Sequence, residues 1–118
     1  MNKILLIFAI LGASISFSNA ECVSYGPPSY NYSGIVCNHL QDGDLPGAVE
    51  SFSGHYNRLA LNNNKGLTIL NNNSFPRLYF DVVGISNNEN LETIEHNFLQ
   101  GGEAAVKQLQ VYGNYQLK

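Results

Sequence analysis

The stretch that decides the fold is Tyr56–Leu67, which reads YNRLALNNNKGL. Its apolar residues Tyr56, Leu59, Leu61 and Leu67 hold fixed positions around an asparagine, Asn64. The same pattern returns at 80–91 and 106–117, where the asparagines are Asn88 and Asn114, spaced 24 and then 26 residues along the chain. A repeat of this length, with apolar positions and a polar residue in constant register, predicts a solenoid in which each repeat forms one coil.

The residues before each asparagine alternate between the two sides of a strand. In the first repeat Leu59 and Leu61 are expected to face the core, and the residues between and beside them to face outward. The predicted core positions are Leu59, Leu61, Val83, Ile85, Leu109 and Val111. The predicted outward positions are Arg58, Ala60, Asn62, Val82, Gly84, Ser86, Gln108, Gln110 and Tyr112. About 20 residues separate successive strands, too many for a hairpin, so we expect the strands to lie parallel.

The repeated asparagines are predicted to form a structural ladder. A side-chain amide offers both a donor and an acceptor, which suits the backbone groups left inside where a strand turns inward. Asn64, Asn88 and Asn114 should therefore bridge neighbouring coils, because a buried polar group is tolerated only when it is hydrogen-bonded. Asn63 and Asn87, one position earlier, should face solvent.

The segment ahead of the repeats, 21–54, is predicted to be a cap. Cys22 and Cys37 are expected to form one disulfide, as an even pair does in a short secreted chain. The proline- and glycine-rich stretch 25–34 predicts a loop, which the disulfide would hold against a strand at 35–37 as a lid over the end of the solenoid. Repeats are expected over 55–118.

Helical structure is expected only in short pieces. Asp44 should cap a short helix that starts near Pro46 and uses Ala48, Val49 and Phe52 as its apolar face. A second helical turn is expected within 97–105. The third repeat stops after Leu117 without a returning limb, so we expect further repeats or a partner to cover that end.

The first 20 residues predict a secretory signal peptide, with a positive start, an apolar run and a small-residue site ending at Ala20. The chain carries a net charge of −3, and only 13% of its residues are charged. Removing Lys3 leaves five basic and nine acidic residues, so a mature chain carries −4 (5 − 9). This balance disfavours nucleic acid and anionic membranes as partners, and no later segment is apolar enough for insertion. The expected location is extracellular.

No set of residues predicts catalysis, a metal site or a cofactor. His39, His55 and His96 fall in different parts of the repeat pattern, and Glu92 beside His96 has no counterpart in the preceding repeat. The run from Asp42 resembles a calcium loop, but its twelfth position is Ser53 rather than a glutamate. Asn31 and Asn72 begin Asn-x-Ser sequons and are candidate glycosylation sites.

The repeats, the signal segment and the cysteine-bearing cap together resemble the extracellular leucine-rich repeat proteins of arthropods, including those named after the non-catalytic subunit of a luciferin 2-monooxygenase. This resemblance implies an α/β solenoid with a curved parallel sheet on its concave side and a mostly irregular or short-helical convex side. It also implies a non-enzymatic role in binding an extracellular protein or glycan. The binding residues would be Arg58, Asn62, Ser86, Gln108, Gln110 and Tyr112.

Two alternatives remain open. The chain could be a non-catalytic accessory subunit of a secreted oxidative enzyme, which the named relatives suggest. It could also be a small secreted effector or enzyme in which the repeat pattern is superficial.

Overall fold

The computed structural model describes residues 20–95, 97–99 and 106–117. The predicted signal peptide therefore lies outside the described residues except for Ala20. The same is true of His96 and of most of the helical turn expected within 97–105.

Seven strands and one short helix make up the described structure. The strands are β1 (Glu21–Tyr25), β2 (Gly34–Asn38), β3 (Gly54–Asn62), β4 (Ile69–Leu70), β5 (Leu78–Ser86), β6 (Thr93–Ile94) and β7 (Gln108–Tyr112), and a 3₁₀ helix spans Gly47–Val49. One five-stranded sheet has the order β1-β2-β3-β5-β7, and β4 pairs with β6 in a second, two-stranded sheet.

The large sheet is a stack of coils. Strands β2, β3, β5 and β7 run parallel, and the register aligns Ile35 with Leu59, Leu59 with Val83, and Val83 with Leu109. The described parts of the connections pass along the far side of the core, where β4 and β6 also pair in parallel. Three such connections join four parallel strands, so the fold is a solenoid of about three turns.

The stack begins one coil before the first repeat that we recognise in the sequence. Ile35 and Cys37 in β2 occupy the register positions of Leu59 and Leu61, and both are fully buried. The segment that we treat as a cap therefore contributes a coil of its own. Strand β1 pairs antiparallel with β2 and covers its outer edge.

The core lies between the two sheets. Leu59, Leu61, Val83 and Ile85 are completely buried, as predicted. The connecting limbs complete the core with Leu67, Leu70, Phe75, Leu91 and Phe98. The ring of Phe75 meets those of Phe80 and Phe98 edge-on, with centroids 6.4 and 6.5 Å apart.

The expected solenoid with a parallel sheet and mostly irregular limbs is confirmed, but the α in α/β is not, because the only helix in the described residues is the three-residue 3₁₀ turn. The limbs bond to each other across coils instead: Glu92 and Thr93 donate their N–H groups to Thr68 O, and Glu95 donates to Leu70 O. Those bonds satisfy backbone groups that a helix would have paired internally.

The Asp44 carboxylate, predicted to cap a helix, instead forms a hydrogen bond within the preceding turn. Asp44 Oδ2 accepts a hydrogen bond from Gln41 N, and no side-chain bond caps the 3₁₀ turn. Val49, expected on the apolar face, is buried.

The expected burial of Leu109 and Val111 is also wrong, because their exposed fractions are 49% and 38%. Strand β7 is the edge strand, and it pairs only with β5 among the described residues. A side chain in a stack is buried by the coils on both sides of it, and here one side is missing from the described part of the chain.

Candidate functional site

The candidate site is the surface of the five-stranded sheet that faces away from the core, which we call the outward face. Strand register arranges its side chains in three rows across the sheet. The first row is Tyr25, Gly34, Arg58, Val82 and Gln108; the second is Val23, Val36, Ala60, Gly84 and Gln110; the third is Glu21, Asn38, Asn62, Ser86 and Tyr112. Parallel strands in strict register thus place side chains from distant parts of the sequence beside one another.

Small residues let long side chains lie flat on this face. The ring of Tyr25 covers Gly34, where any Cβ atom would collide with it. A Cβ atom on Gly84 would lie 3.4 Å from Arg58 Nη2 and 3.9 Å from Gln110 Oε1. The Arg58 guanidinium therefore reaches from β3 over Gly84 on β5, where the Gln110 side chain of β7 also lies.

Tyr25 lies beside this arginine on the side of β1, and Tyr32 packs against Tyr25. The rings of Tyr25 and Tyr32 are 5.3 Å apart and inclined at 52°. Burial raises the pKa of the Tyr25 hydroxyl above its ordinary value, while the nearby charge of Arg58 acts in the opposite direction. At neutral pH Tyr25 is therefore an uncharged hydroxyl that can donate or accept a hydrogen bond.

Arg58 itself has no acidic partner in the described part of the chain. The ion pairs there join Asp81 to His55, at 2.9 Å, and to Lys107, at 3.9 Å. The Arg58 side chain makes no hydrogen bond to any described residue, although it is half-buried. Its guanidinium is thus a positive charge held on the sheet surface with its N–H groups free for a ligand.

The predicted binding residues all lie on the outward face, across β3, β5 and β7. Ser86 Oγ donates to Asn62 Oδ1 at 2.6 Å, so these two side chains are already paired. Gln108 and Tyr112 are exposed on β7, and Gln110 is half-buried next to the Arg58 guanidinium.

Sequence reasoning missed the tyrosine side of the site. Tyr25 and Tyr32 stand in the segment predicted to be a loop of the cap, whereas Tyr25 ends strand β1. Antiparallel pairing of β1 with β2 brings Tyr25 beside Arg58. No repeat pattern in the sequence predicts this pairing. Strand β1 has only five residues, too few for an alternation of apolar and polar positions to predict it.

Behind the face, the three asparagines connect the coils. Asn64 Oδ1 accepts from Leu40 N at 2.8 Å, and Asn64 Nδ2 donates to Asn88 Oδ1 at 2.9 Å. Asn88 Nδ2 donates in turn to Leu61 O and to Asn114 Oδ1, both at 3.0 Å. Asn64 and Asn88 are completely buried, so the ladder fixes the spacing of the strands that carry the outward face.

A second repeated feature precedes the ladder. Asn63, Asn87 and Gly113 each stand one residue before a ladder asparagine, and His39 stands one residue before Leu40, which occupies the same place in the first coil. All four have positive φ, between 56° and 71°. Asparagine and histidine adopt this left-handed conformation more readily than most residues, and glycine adopts it freely. These residues turn the chain at the end of each strand, and Asn63 and Asn87 are exposed.

A further polar cluster, formed by His55 and Asp81, lies at the end of the sheet where β3 begins. His55 Nε2 lies 2.9 Å from Asp81 Oδ1, in a shallow cleft of about 100 Å³ that Ser29, Tyr30, Asn31 and Asn57 also line. His55 stands at the start of its strand, whereas His39 follows the end of the neighbouring parallel strand, so the two histidines lie at opposite ends of the sheet.

In the run that resembles a calcium loop, the Asp42 carboxylate accepts hydrogen bonds from another part of the fold. Asp42 Oδ1 accepts from Thr68 N at 2.8 Å, and its other oxygen accepts from the Thr68 hydroxyl. Among the described residues, no group of three or more His, Cys, Asp or Glu side chains is placed to hold a metal ion. Asn31 and Asn72, the sequon asparagines, are both exposed.

Comparisons with known proteins do not indicate a function, so the proposed function is based on the geometry of the outward face. Searches with family models, against curated proteins and against solved structures gave no match. Within the described ranges, no helix has the length and hydrophobicity needed to cross a bilayer.

Proposed function

We propose that the protein is a secreted binding module of the leucine-rich repeat type, which recognises an extracellular protein or glycan through its outward face. The observation that carries this proposal is the unpaired Arg58 guanidinium, held flat on a floor of small residues between tyrosine and glutamine side chains. A polar group positioned in this way loses less conformational entropy when it binds a ligand.

The repeat-type assignment rests on three features. The strands are parallel and in strict register, the repeats are 24 to 26 residues long, and buried asparagines link successive coils. Repeat folds of this kind use an extended sheet surface for binding.

Secretion is supported by the disulfide between Cys22 and Cys37. Disulfides persist in oxidising compartments and are rare in the cytosol. We expect the full chain, expressed in a secreting cell line, to appear in the medium with both cysteines oxidised. Retention inside the cell with free thiols would contradict this part of the proposal.

Binding can be tested with a blocking substitution. The secreted protein would be screened against arrays of extracellular proteins and of glycans. Gln110→Trp should abolish binding of whatever ligand is found, because the indole would stand close to the Arg58 guanidinium over Gly84. Thr93→Trp on β6, exposed on the opposite side, is the matched control and should bind as the wild type does.

Melting curves would confirm that both variants are folded. A ligand that Thr93→Trp loses and Gln110→Trp keeps would move the binding site to the limbs and overturn the assignment to the outward face.

A further inference from the structure

The outward face has one positive charge near its centre. Of the residues in its three rows, only Arg58 and Glu21 are charged, and Glu21 lies at the far corner on β1. The chain as a whole carries −3. The attraction for an anion is therefore local to Arg58 and is not a property of the whole molecular surface.

The position of the guanidinium suits a carboxylate. Its plane extends over Gly84 beside Gln110 Oε1, and its side-chain donors have no partner among the described residues. A guanidinium presents parallel N–H donors that match the two oxygens of a carboxylate, and such bidentate bonds are roughly twice as strong as neutral hydrogen bonds. Gln110 next to it can donate a further hydrogen bond through its amide nitrogen.

The surrounding side chains favour a protein as the source of that carboxylate. Tyrosine and arginine are enriched at the centres of protein interfaces, and lysine and glutamate are depleted there. Binding surfaces that combine tyrosine, serine, glycine and asparagine with an arginine anchor are typical of proteins that recognise other proteins. The outward face has this composition: Tyr25 lies beside Arg58, Tyr32 packs against Tyr25, and Tyr112 lies on the edge strand β7.

We propose that Arg58 anchors an aspartate or glutamate side chain of a protein partner, with Tyr25 and Gln110 on either side of it. This inference rests on the proposed function, since it assumes that the outward face is the binding surface. Gly84 has no side chain beneath the guanidinium, so the Arg58 side chain lies low on the sheet and the partner's carboxylate approaches it from the solvent side.

A displayed library of random peptides provides the test. Peptides selected on the full-length wild-type protein should contain an aspartate or glutamate at one fixed position of the enriched motif. Their affinity should fall by about tenfold or more on Arg58→Gln, since loss of one partner of a hydrogen-bonded charge pair commonly has at least this effect. Arg58→Lys should restore only part of the affinity, because lysine keeps the charge and loses the bidentate geometry.

Lys65→Gln is the matched control. It removes one positive charge from an exposed position outside the outward face, and it should leave the affinity of the peptides unchanged. Equal losses on Arg58→Gln and Lys65→Gln would indicate a general charge effect and overturn the proposal.

The outcomes separate this inference from the proposed function. Peptides that Gln110→Trp rejects but Arg58→Gln accepts would overturn the role of Arg58 and leave the outward face as the binding surface. Peptides that both variants bind normally would overturn both proposals. Polygalacturonate, with dextran as its neutral counterpart, forms the glycan arm: Arg58-dependent binding of polygalacturonate without enrichment of acidic peptides would assign the site to acidic glycans and overturn the protein partner.

Discussion

At the scale of single residues, Asn88 shows how one buried amide joins three coils. Its Oδ1 accepts hydrogen bonds from both Asn64 N and Asn64 Nδ2, and its Nδ2 donates to Leu61 O. Asn88→Ala would leave the Asn64 N–H and the Leu61 carbonyl buried without these partners. Each such group costs about 1–3 kcal/mol, so we expect Asn88→Ala to lower the free energy of unfolding by about 3 kcal/mol in urea denaturation.

Asn72→Ala is the control for that experiment. Asn72 is exposed in a turn between β4 and β5, and surface substitutions of this kind change stability by no more than about 0.5 kcal/mol. Both variants would be produced in bacteria, so that glycosylation of Asn72 does not contribute to the measured stability. If the two alanine variants melted alike, the ladder would have no special role in stability.

The residues with a left-handed backbone conformation before the ladder asparagines allow a second prediction at this scale. Asn63 has φ 60° and is exposed, so its side chain contributes little to packing. Asn63→Gly should be close to neutral, whereas Asn63→Val should destabilise the fold by about 1–2 kcal/mol because a β-branched residue is strained at positive φ. Thermal melting of the two variants side by side measures the difference, and a stable Asn63→Val variant would contradict the assigned conformation.

At the scale of elements, the hairpin of β1 and β2 depends on its disulfide. Cys22 and Cys37 are directly paired across the two strands, and their sequence separation is 15. Closing a loop of this length stabilises a fold by about 3 kcal/mol in the chain-entropy model. The double variant Cys22→Ala, Cys37→Ala should lose roughly this amount in denaturant unfolding.

The same variant should also affect the candidate site. Strand β1 carries Tyr25, so loosening the hairpin should weaken ligand binding even under conditions where β3 and β5 stay folded. Hydrogen exchange can separate the two effects: we expect faster exchange in β1, with protection retained in β3. Uniformly faster exchange along the chain would show that the hairpin and the coils unfold as one unit.

The sequence predicts the strands that a repeated pattern determines, and it does not predict the pairings that depend on contacts between distant segments. Strands β3, β5 and β7 follow from apolar alternation in a fixed repeat, and their parallel pairing follows from the length of the connections. The extra coil at β2 is hidden in the sequence because Leu40 stands where the repeats have an asparagine. Its backbone N–H donates to Asn64 Oδ1, as the N–H groups of Asn64 and Asn88 donate to the next asparagine, but leucine has no side-chain amide to reveal the repeat. The pairing of β1, and with it the place of Tyr25 beside Arg58, arises from contacts between segments that share no pattern.

At the scale of the whole molecule, a stack of coils should be unevenly stable along its length. Each coil contacts only its neighbours, so the stability of a solenoid is approximately a sum of terms between adjacent coils. Strand β3 has a parallel neighbour on each side, whereas β7 pairs with β5 alone among the described residues. The buried fraction follows the same order, from Leu59, which is completely buried, to Leu109, which is 49% exposed.

Equivalent substitutions along the stack should therefore have unequal effects. Leu59→Ala removes a side chain from a closed core and should cost about 2–5 kcal/mol. Leu109→Ala, at the same register position two coils later, removes a half-exposed side chain and should cost about 1 kcal/mol or less, since less apolar surface is lost from the interior. Denaturant unfolding of the full chain at several protein concentrations measures both values and shows whether self-association covers β7. Equal costs at low concentration would mean that Leu109 is buried in solution, and the uneven stability expected of the stack would then be wrong.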